Sequence, residues 1–298
     1  MAVSVRVPAT SANLGPGFDT AGLALQIYDD LSAEFTDGPG GVEIEGEGAD
    51  HLRRDKSHLV LRALRHTLAS HSSDAQLADR RPPAITLRCH NRIPHGRGLG
   101  SSAAAIVAGV RLGEALLGVD LGPDARLAIA TSMEGHPDNV AACLLGGFTL
   151  AWIDDGRPHA IRLTPLADLV VTVFVPPGLL ATRHARQLLP DQVPHADAAT
   201  NAGRAALLVA ALTENLDLLH VATADLLHQA YRAQAMPESY ELMNRLRSAG
   251  WAAAISGAGP TVIVLHGRGA TPTADVPGTW TSTTLEVDRG EELIAHKE

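Results

Sequence analysis

Alternating apolar and polar positions predict a strand at residues 3–7, a long one along 23–36 and a short one at 42–45. Leu61, Leu64 and Leu68 recur at helical spacing and predict a helix over 58–68, before a loop at 74–83 and a strand at 84–90. Two further stretches read as helices, 101–117 and 123–133. Gly118 and the pair Gly122-Pro123 punctuate the gap between them, and a third helix begins near Asp138. Strands are expected at 149–153, 161–163 and 169–175, then helices at 196–212, 216–230 and 238–249. A last strand pair, 251–255 and 261–266, flanks a glycine-rich turn at 256–260. Strands and helices alternate irregularly, which predicts an α+β layout of two sheets covered by helices. Turn residues between Asp154 and Pro165 place a boundary there, giving domains 1–157 and 158–298.

Composition narrows the possibilities. Of 298 residues, 45% are hydrophobic and 19% charged, enough apolar surface for a core without covalent staples. Pro176, Pro177 and Gly178 interrupt the longest apolar stretch, so none is long enough to span a bilayer. The first residues alternate like a strand and lack the layout of a signal peptide, which makes the cytoplasm the expected location. Cys89 and Cys143 have no metal-binding or paired spacing and read as two buried thiols. A formal charge of −9 and few aromatic residues argue against a nucleic-acid partner. Only Lys56 and Lys297 are lysines among 24 basic residues, and neither follows a GxxxxG loop. Walker-type nucleotide binding is therefore excluded.

The chemistry concentrates in Ile93-Pro94-His95-Gly96-Arg97-Gly98-Leu99-Gly100-Ser101-Ser102-Ala103-Ala104. Three glycines let main-chain N–H groups approach an anion, and the alanines that follow favour a helix whose N-terminus attracts phosphate. The Ser102 hydroxyl suits Mg²⁺, a hard cation that keeps phosphate oxygens and waters as its other ligands. Read alone, such a loop is as well explained as a serine-capped turn before a packing helix.

The loop has company. Val7-Pro8-Ala9-Thr10-Ser11-Ala12-Asn13-Leu14-Gly15-Pro16-Gly17-Phe18-Asp19 precedes it, and Ala254-Ile255-Ser256-Gly257-Ala258-Gly259-Pro260-Thr261 follows. In this order the three segments resemble the GHMP kinases. Glu134-Gly135-His136-Pro137-Asp138-Asn139-Val140, the stretch around Arg186, and His228-Gln229-Ala230-Tyr231-Arg232 resemble the homoserine kinases within that superfamily. The resemblance implies an N-terminal domain like the second domain of ribosomal protein S5 and a ferredoxin-like C-terminal domain. It also implies ATP, Mg²⁺ and L-homoserine as ligands, a role in threonine biosynthesis, and a homodimer as a common state.

Carried over residue by residue, the resemblance gives ATP to Pro94, Gly96, Arg97, Gly98, Leu99, Gly100, Ser101, Ser102, Ala103 and Ala104. It gives the metal to Ser102 and Glu134, and the amino acid to Asn13, Asp19, His136, Asn139, Arg186 and Arg232. The two arginines offer forked recognition of a carboxylate, and Asp19 can meet an ammonium. His136 reads either as a substrate contact or as an ordinary hydrogen-bonded histidine. The family's adenine-side Asn-Leu-Val is here His58-Leu59-Val60, and Ala142-Cys143 replaces a frequent Pro-Ala. Where mevalonate kinases place a catalytic aspartate stands Asn139, which cannot take a proton at neutral pH. Ser102, Glu134 and Asn139 are therefore the expected catalytic groups, with Asn139 orienting the hydroxyl and the phosphoryl group accepting its proton. Competing readings are a GHMP kinase for another small alcohol, such as mevalonate, and a non-catalytic nucleotide-binding relative.

Overall fold

The computed structural model describes residues 2–71 and 84–290, and the backbone of 296–297. The loop expected at 74–83 lies outside the described residues. Strand β1 (Ala2–Asn13) pairs antiparallel with the long β2 (Gly17–Thr36). Alternation in β1 sends Val3, Val5 and Val7 into the core and leaves Arg6 in solvent. β1 runs six residues past the expected end at residue 7, because a register shift at Pro8/Ala9 absorbs the proline.

β3 (Gly41–Gly46) lies parallel to β4 (Ala84–Asn91), and β4 pairs antiparallel with β2. β5 (Phe148–Asp154) and β6 (Arg157–Leu163) form a hairpin attached to β2. β11 (His296–Lys297) adds to the free edge of β1, completing seven strands. Helices α1 (Leu59–His71), α2 (Ser101–Leu117), α3 (Gly122–Glu134) and α4 (Asp138–Leu145) supply apolar side chains to the same core.

The second sheet contains β7 (Leu169–Val175), β8 (Ala252–Ile255), β9 (Val262–Gly267) and β10 (Thr281–Glu286) in the order β10-β7-β9-β8, all antiparallel. That is the ferredoxin-like order, so both expected sheets of the α+β fold are present. Every residue of β7 is buried, which explains its unbroken apolar run. Leu242, Met243 and Leu246 of helix α9 (Pro237–Ser248) pack with Phe174, Ile255 and Val264. Among the described residues no helix separates β9 from β10. Pairing keeps the first sheet going to Leu163 and the second starts at Leu169, so a division at 157/158 falls at the start of β6.

One expected element breaks up. The helix predicted over 216–230 is a 3₁₀ turn at Leu216–Leu218, then α7 (Leu219–Ala222), then α8 (Gln229–Arg232). The cause is Asp225, whose carboxylate accepts the N–H groups of Leu227, His228 and Gln229 at 2.9, 3.0 and 2.8 Å. A side chain that satisfies three amides starts a new turn where a continuous helix would have bonded them to carbonyls. Two other helices precede this region, α5 (Thr182–Gln187) and α6 (His195–Thr213).

Candidate active site

The three glycine-rich segments meet at one seam between the sheets. Thr10 N donates to Leu99 O at 3.1 Å, Thr261 N to Arg97 O at 3.2 Å, and Gly257 N to Ala12 O at 3.0 Å. Ser256 Oγ lies 2.8 Å from Ser11 Oγ and donates to Gly98 O at 2.5 Å. These bonds have a consequence for α2. Gly98 O and Leu99 O sit four residues before Ser102 and Ala103 and would be their helical acceptors, but both are turned to Ser256 and Thr10. The first main-chain bond of the turn is Ala104 N to Gly100 O at 2.9 Å. The amides at 101–103 therefore stay free at the positive end of a 17-residue helix. Leu99, Ala103 and Ala104 are fully buried and fix the loop from below.

Gly98 and Gly100 adopt left-handed φ values of 82° and 72°. A Cβ on Gly98 would overlap Ser256 O, and one on Gly100 would overlap Thr10 Oγ1. Pro94 and His95 lead into the loop. Arg97 pairs with Glu47 at 3.2 Å and donates to Pro177 O at 3.2 Å, so its guanidinium already has partners within the chain.

At that mouth Ser102 Oγ donates to Glu134 Oε2 at 2.7 Å. Burial raises the Glu134 carboxyl above its ordinary range, while the Ser102 hydrogen bond and the charge of His136 pull it back. A half-buried carboxylate beside a hydroxyl is an oxygen donor pair that a small divalent cation would relieve, so the residues fit Mg²⁺.

The structure gathers the other predicted residues across the seam. Arg186, on α5, forms a two-armed bond with Asp19 at 2.8 and 2.8 Å, and that bond raises the guanidinium pKa. Asp19 has φ 56°, and Asn13 holds it there by accepting Asp19 N at 3.0 Å while donating to Gly257 O at 2.8 Å. Arg232 is 2% exposed. It donates to His228 Nδ1 at 3.2 Å and Gly257 O at 3.4 Å, and its Nε has no partner. Burial, then the charge of Arg186, lowers its pKa.

His136 Nδ1 lies 2.6 Å from Asp138 Oδ1. Burial would discharge the ring, but the bond to and charge of Asp138 outweigh it and raise the pKa. Asn139 sits between Asp138 and Thr10, with Thr10 Oγ1 donating to Asn139 Oδ1 at 2.8 Å. His58 lies just before α1, 7% exposed, with Nδ1 unpartnered among the described residues. Burial lowers its pKa and keeps the ring neutral, fit to donate and accept as an amide would. A separate groove of about 1560 Å³, on the first sheet around Arg6, Asp30 and Arg88, is lined by none of these residues.

Sequence comparison bears on this arrangement directly. The family model described as GHMP kinases N terminal domain matches residues 58–147, and that described as GHMP kinases C terminal matches 198–273. A homoserine kinase of Streptomyces avermitilis is 52% identical over 98% of this chain and 96% of its own. One from Clavibacter michiganensis is 51% identical over 88% of this chain and 82% of its own. The chain belongs to the homoserine kinase family of GHMP kinases. It is a phosphotransferase with an alcohol acceptor.

Solved structures agree. The homoserine kinase from Cytophaga hutchinsonii superposes with a TM-score of 0.80 at 26% identity, covering 97% of this chain and 95% of that one. A Streptococcus pneumoniae phosphomevalonate kinase, at 14% identity and a TM-score of 0.62, shares the fold alone. Sequence reasoning passed over three residues that the homoserine kinase fold brings into the site. Phe18 lies under both arginines, 5.2 Å from Arg232 and 5.6 Å from Arg186, and stacks on His228 at 5.1 Å. Thr10 and Ser256 bridge the segments. Each stood inside a recognised motif, and its role depends on which neighbour it faces, which spacing does not encode.

Proposed function

We propose that the protein transfers the γ-phosphoryl group of ATP to the side-chain hydroxyl of L-homoserine, giving O-phospho-L-homoserine and ADP. The supporting observation is a juxtaposition: free amides stand at a helix mouth, and the segments bonded to that loop also hold one buried guanidinium and one Asp–Arg pair. A zwitterion suits that arrangement. Its carboxylate meets Arg232 and Arg186 and its ammonium meets Asp19, so each charged group of the substrate faces an opposite charge. A carboxylate without an ammonium, as in mevalonate, would draw Arg186 from Asp19 and leave the aspartate unmatched.

In this reading the amides of Gly98 to Ala103 hold the phosphate oxygens, and the helix dipole favours their charge. Ser102 and Glu134 would hold Mg²⁺, which when bound offsets phosphate charge. His58 lines the adenine side. Asp138 gives one carboxylate oxygen to His136 and to the Asn139 amide, and in this reading it positions those groups and takes no proton. Asn139 orients the acceptor oxygen, the O–P bond forms as the bridging P–O bond of ATP breaks, and the hydroxyl proton passes to the transferred phosphoryl group. Positioning and charge supply the acceleration, in keeping with a loose transition state. The work belongs to threonine biosynthesis in the cytoplasm. Among the described residues no helix is long and apolar enough to cross a membrane. A homodimer is part of the same proposal, and sedimentation checks it.

The test is ADP release with Mg-ATP and L-homoserine beside mevalonate, L-serine and galactose. Homoserine should give the highest kcat/KM. A higher value for mevalonate would transfer the assignment to another alcohol, and no turnover of any acceptor would leave only nucleotide binding.

A further inference from the structure

We propose that Thr10 and Asp138 are positioning residues that fix the Asn139 side-chain amide with its NH₂ group toward the acceptor hydroxyl. The inference rests on the homoserine reading only for the identity of that hydroxyl. An amide can face either way, and its neighbours decide which. Asp138 is 2% exposed, and its Oδ1 accepts from Asn139 N at 2.7 Å and from His136 at 2.6 Å. The same oxygen lies 3.4 Å from Asn139 Nδ2. A carboxylate only accepts, so turning the amide over would set two acceptor oxygens against each other. On the other side, the Thr10 hydroxyl donates to Asn139 Oδ1 at 2.8 Å. Both neighbours favour the same orientation.

Two consequences follow for the chemistry. The acceptor end of Asn139 is occupied by Thr10, and its NH₂ is the end left to meet substrate. Asn139 thus donates to the hydroxyl oxygen and orients its lone pair, but it cannot take the proton. Thr10 also ties the acceptor site to the phosphate loop. Its amide donates to Leu99 O at 3.1 Å, and its Oγ1 occupies the space a side chain at Gly100 would need. The fully buried Thr10 therefore sets the distance between the group that receives phosphate and the amides that hold it.

The experiment is a double-mutant cycle on the full-length enzyme, with kcat and both KM values measured for the parent, Thr10→Val, Asn139→Ala and the double variant. Valine keeps the shape of threonine and removes the hydroxyl. Thr10→Val should lower kcat roughly tenfold or more while leaving KM for ATP within about twofold, and Thr10→Ser should recover most of the loss. In the Asn139→Ala background, Thr10→Val should cost little further, because the residue it acts through is gone.

Multiplicative losses in the cycle, or a serine variant as slow as the valine variant, would overturn the proposal and leave Thr10 a packing residue. Unchanged kcat in Thr10→Val would overturn it too. Should the valine variant unfold early in a thermal scan, Thr10→Ala takes its place in the cycle. Should the parent enzyme prefer another acceptor, the substrate reading fails by itself, and the cycle is run with that acceptor.

Discussion

The donor side of the cleft is built from main chain, whereas the acceptor side is built from side chains. Around the glycine loop the groups proposed to meet phosphate are amides, and they are free because Ser256 and Thr10 occupy carbonyls that would have bonded them. Across the seam, Asp19, Arg186, Arg232, His136 and Asn139 each bring one functional group, held by one or two specific neighbours. The first construction depends on where side chains are absent and the second on where they are present. Substitutions should therefore act differently on the two sides.

The strongest challenge to this contrast is the donor side's own exception, the Ser102–Glu134 pair. Ser102 is exposed, so Ser102→Ala should leave folding intact yet lower kcat/KM for Mg-ATP by roughly 10²–10³-fold, the cost of one well-placed charge-stabilising group. Activity within about twofold of the parent would take Ser102 out of the metal site. The raised Glu134 pKa gives a matching pH effect. Metal binding needs the ionised form, so activity should fall with decreasing pH sooner than for an ordinary carboxylate. More Mg²⁺ should move that limb to lower pH, because the metal favours deprotonation.

A smaller effect separates two residues on the acceptor side. Arg232 is buried and forms no ion pair among the described residues, while Arg186 is exposed and already paired with Asp19. Arg232→Ala should raise KM for homoserine by about 10–100-fold and Arg186→Ala by about tenfold, with KM for ATP little changed in either. Arg232→Lys should not restore binding, since a point charge lacks the fork. Equal effects on both substrates' KM values would show that the arginines hold the cleft together and do not read the amino acid.

The loop glycines come next. Gly96 and Gly98 both have positive φ, 63° and 82°, so alanine at either costs roughly 1–2 kcal/mol of backbone strain. Only Gly98 adds a main-chain overlap, with Ser256 O and Gly259 O, whereas a Cβ on Gly96 would meet nothing closer than Leu179 at 3.4 Å. Gly98→Ala should lower the thermal midpoint further than Gly96→Ala and weaken nucleotide binding as well. Equal midpoints would mean that the seam yields at Gly98, and the amide positions would then be less fixed than their bonding suggests.

The same contrast explains what could be read from the chain. The donor side was legible because glycine spacing and the Ser-Ser-Ala-Ala start of a helix have a direct main-chain meaning, and the free amides stand where those residues predicted a helix mouth. The acceptor side was legible through resemblance alone, since one arginine among many carries no address. Most strands followed from alternation. The helix over 216–230 did not, because apolar spacing cannot show that Asp225 will turn inward to collect three amides. Likewise, that Arg186 meets Asp19, and that Phe18 lies beneath two guanidinium groups, depends on packing between segments more than 160 positions apart.

The smallest expected effect concerns a side chain on which the main-chain loop itself leans. Asp29 Oδ1 accepts Arg92 N at 2.6 Å and Ile93 N at 2.9 Å, at the entrance to the glycine segment. Burial pushes its carboxyl up to about 6, although both amide bonds favour the charged form. The folded chain thus holds this proton more tightly than the unfolded chain. The contribution of Asp29 to stability is therefore greatest below the unfolded value near 3.8, declines as pH rises through about 6, and is level above that. Between about pH 5 and pH 7 the loss should be about 1 kcal/mol, a shift of roughly 2–4 °C for a chain of this size. An asparagine side chain cannot titrate, so the midpoint of Asp29→Asn relative to the parent should rise across that interval. A difference that stays constant with pH would show that Asp29 is ionised throughout, with its two amides outweighing burial.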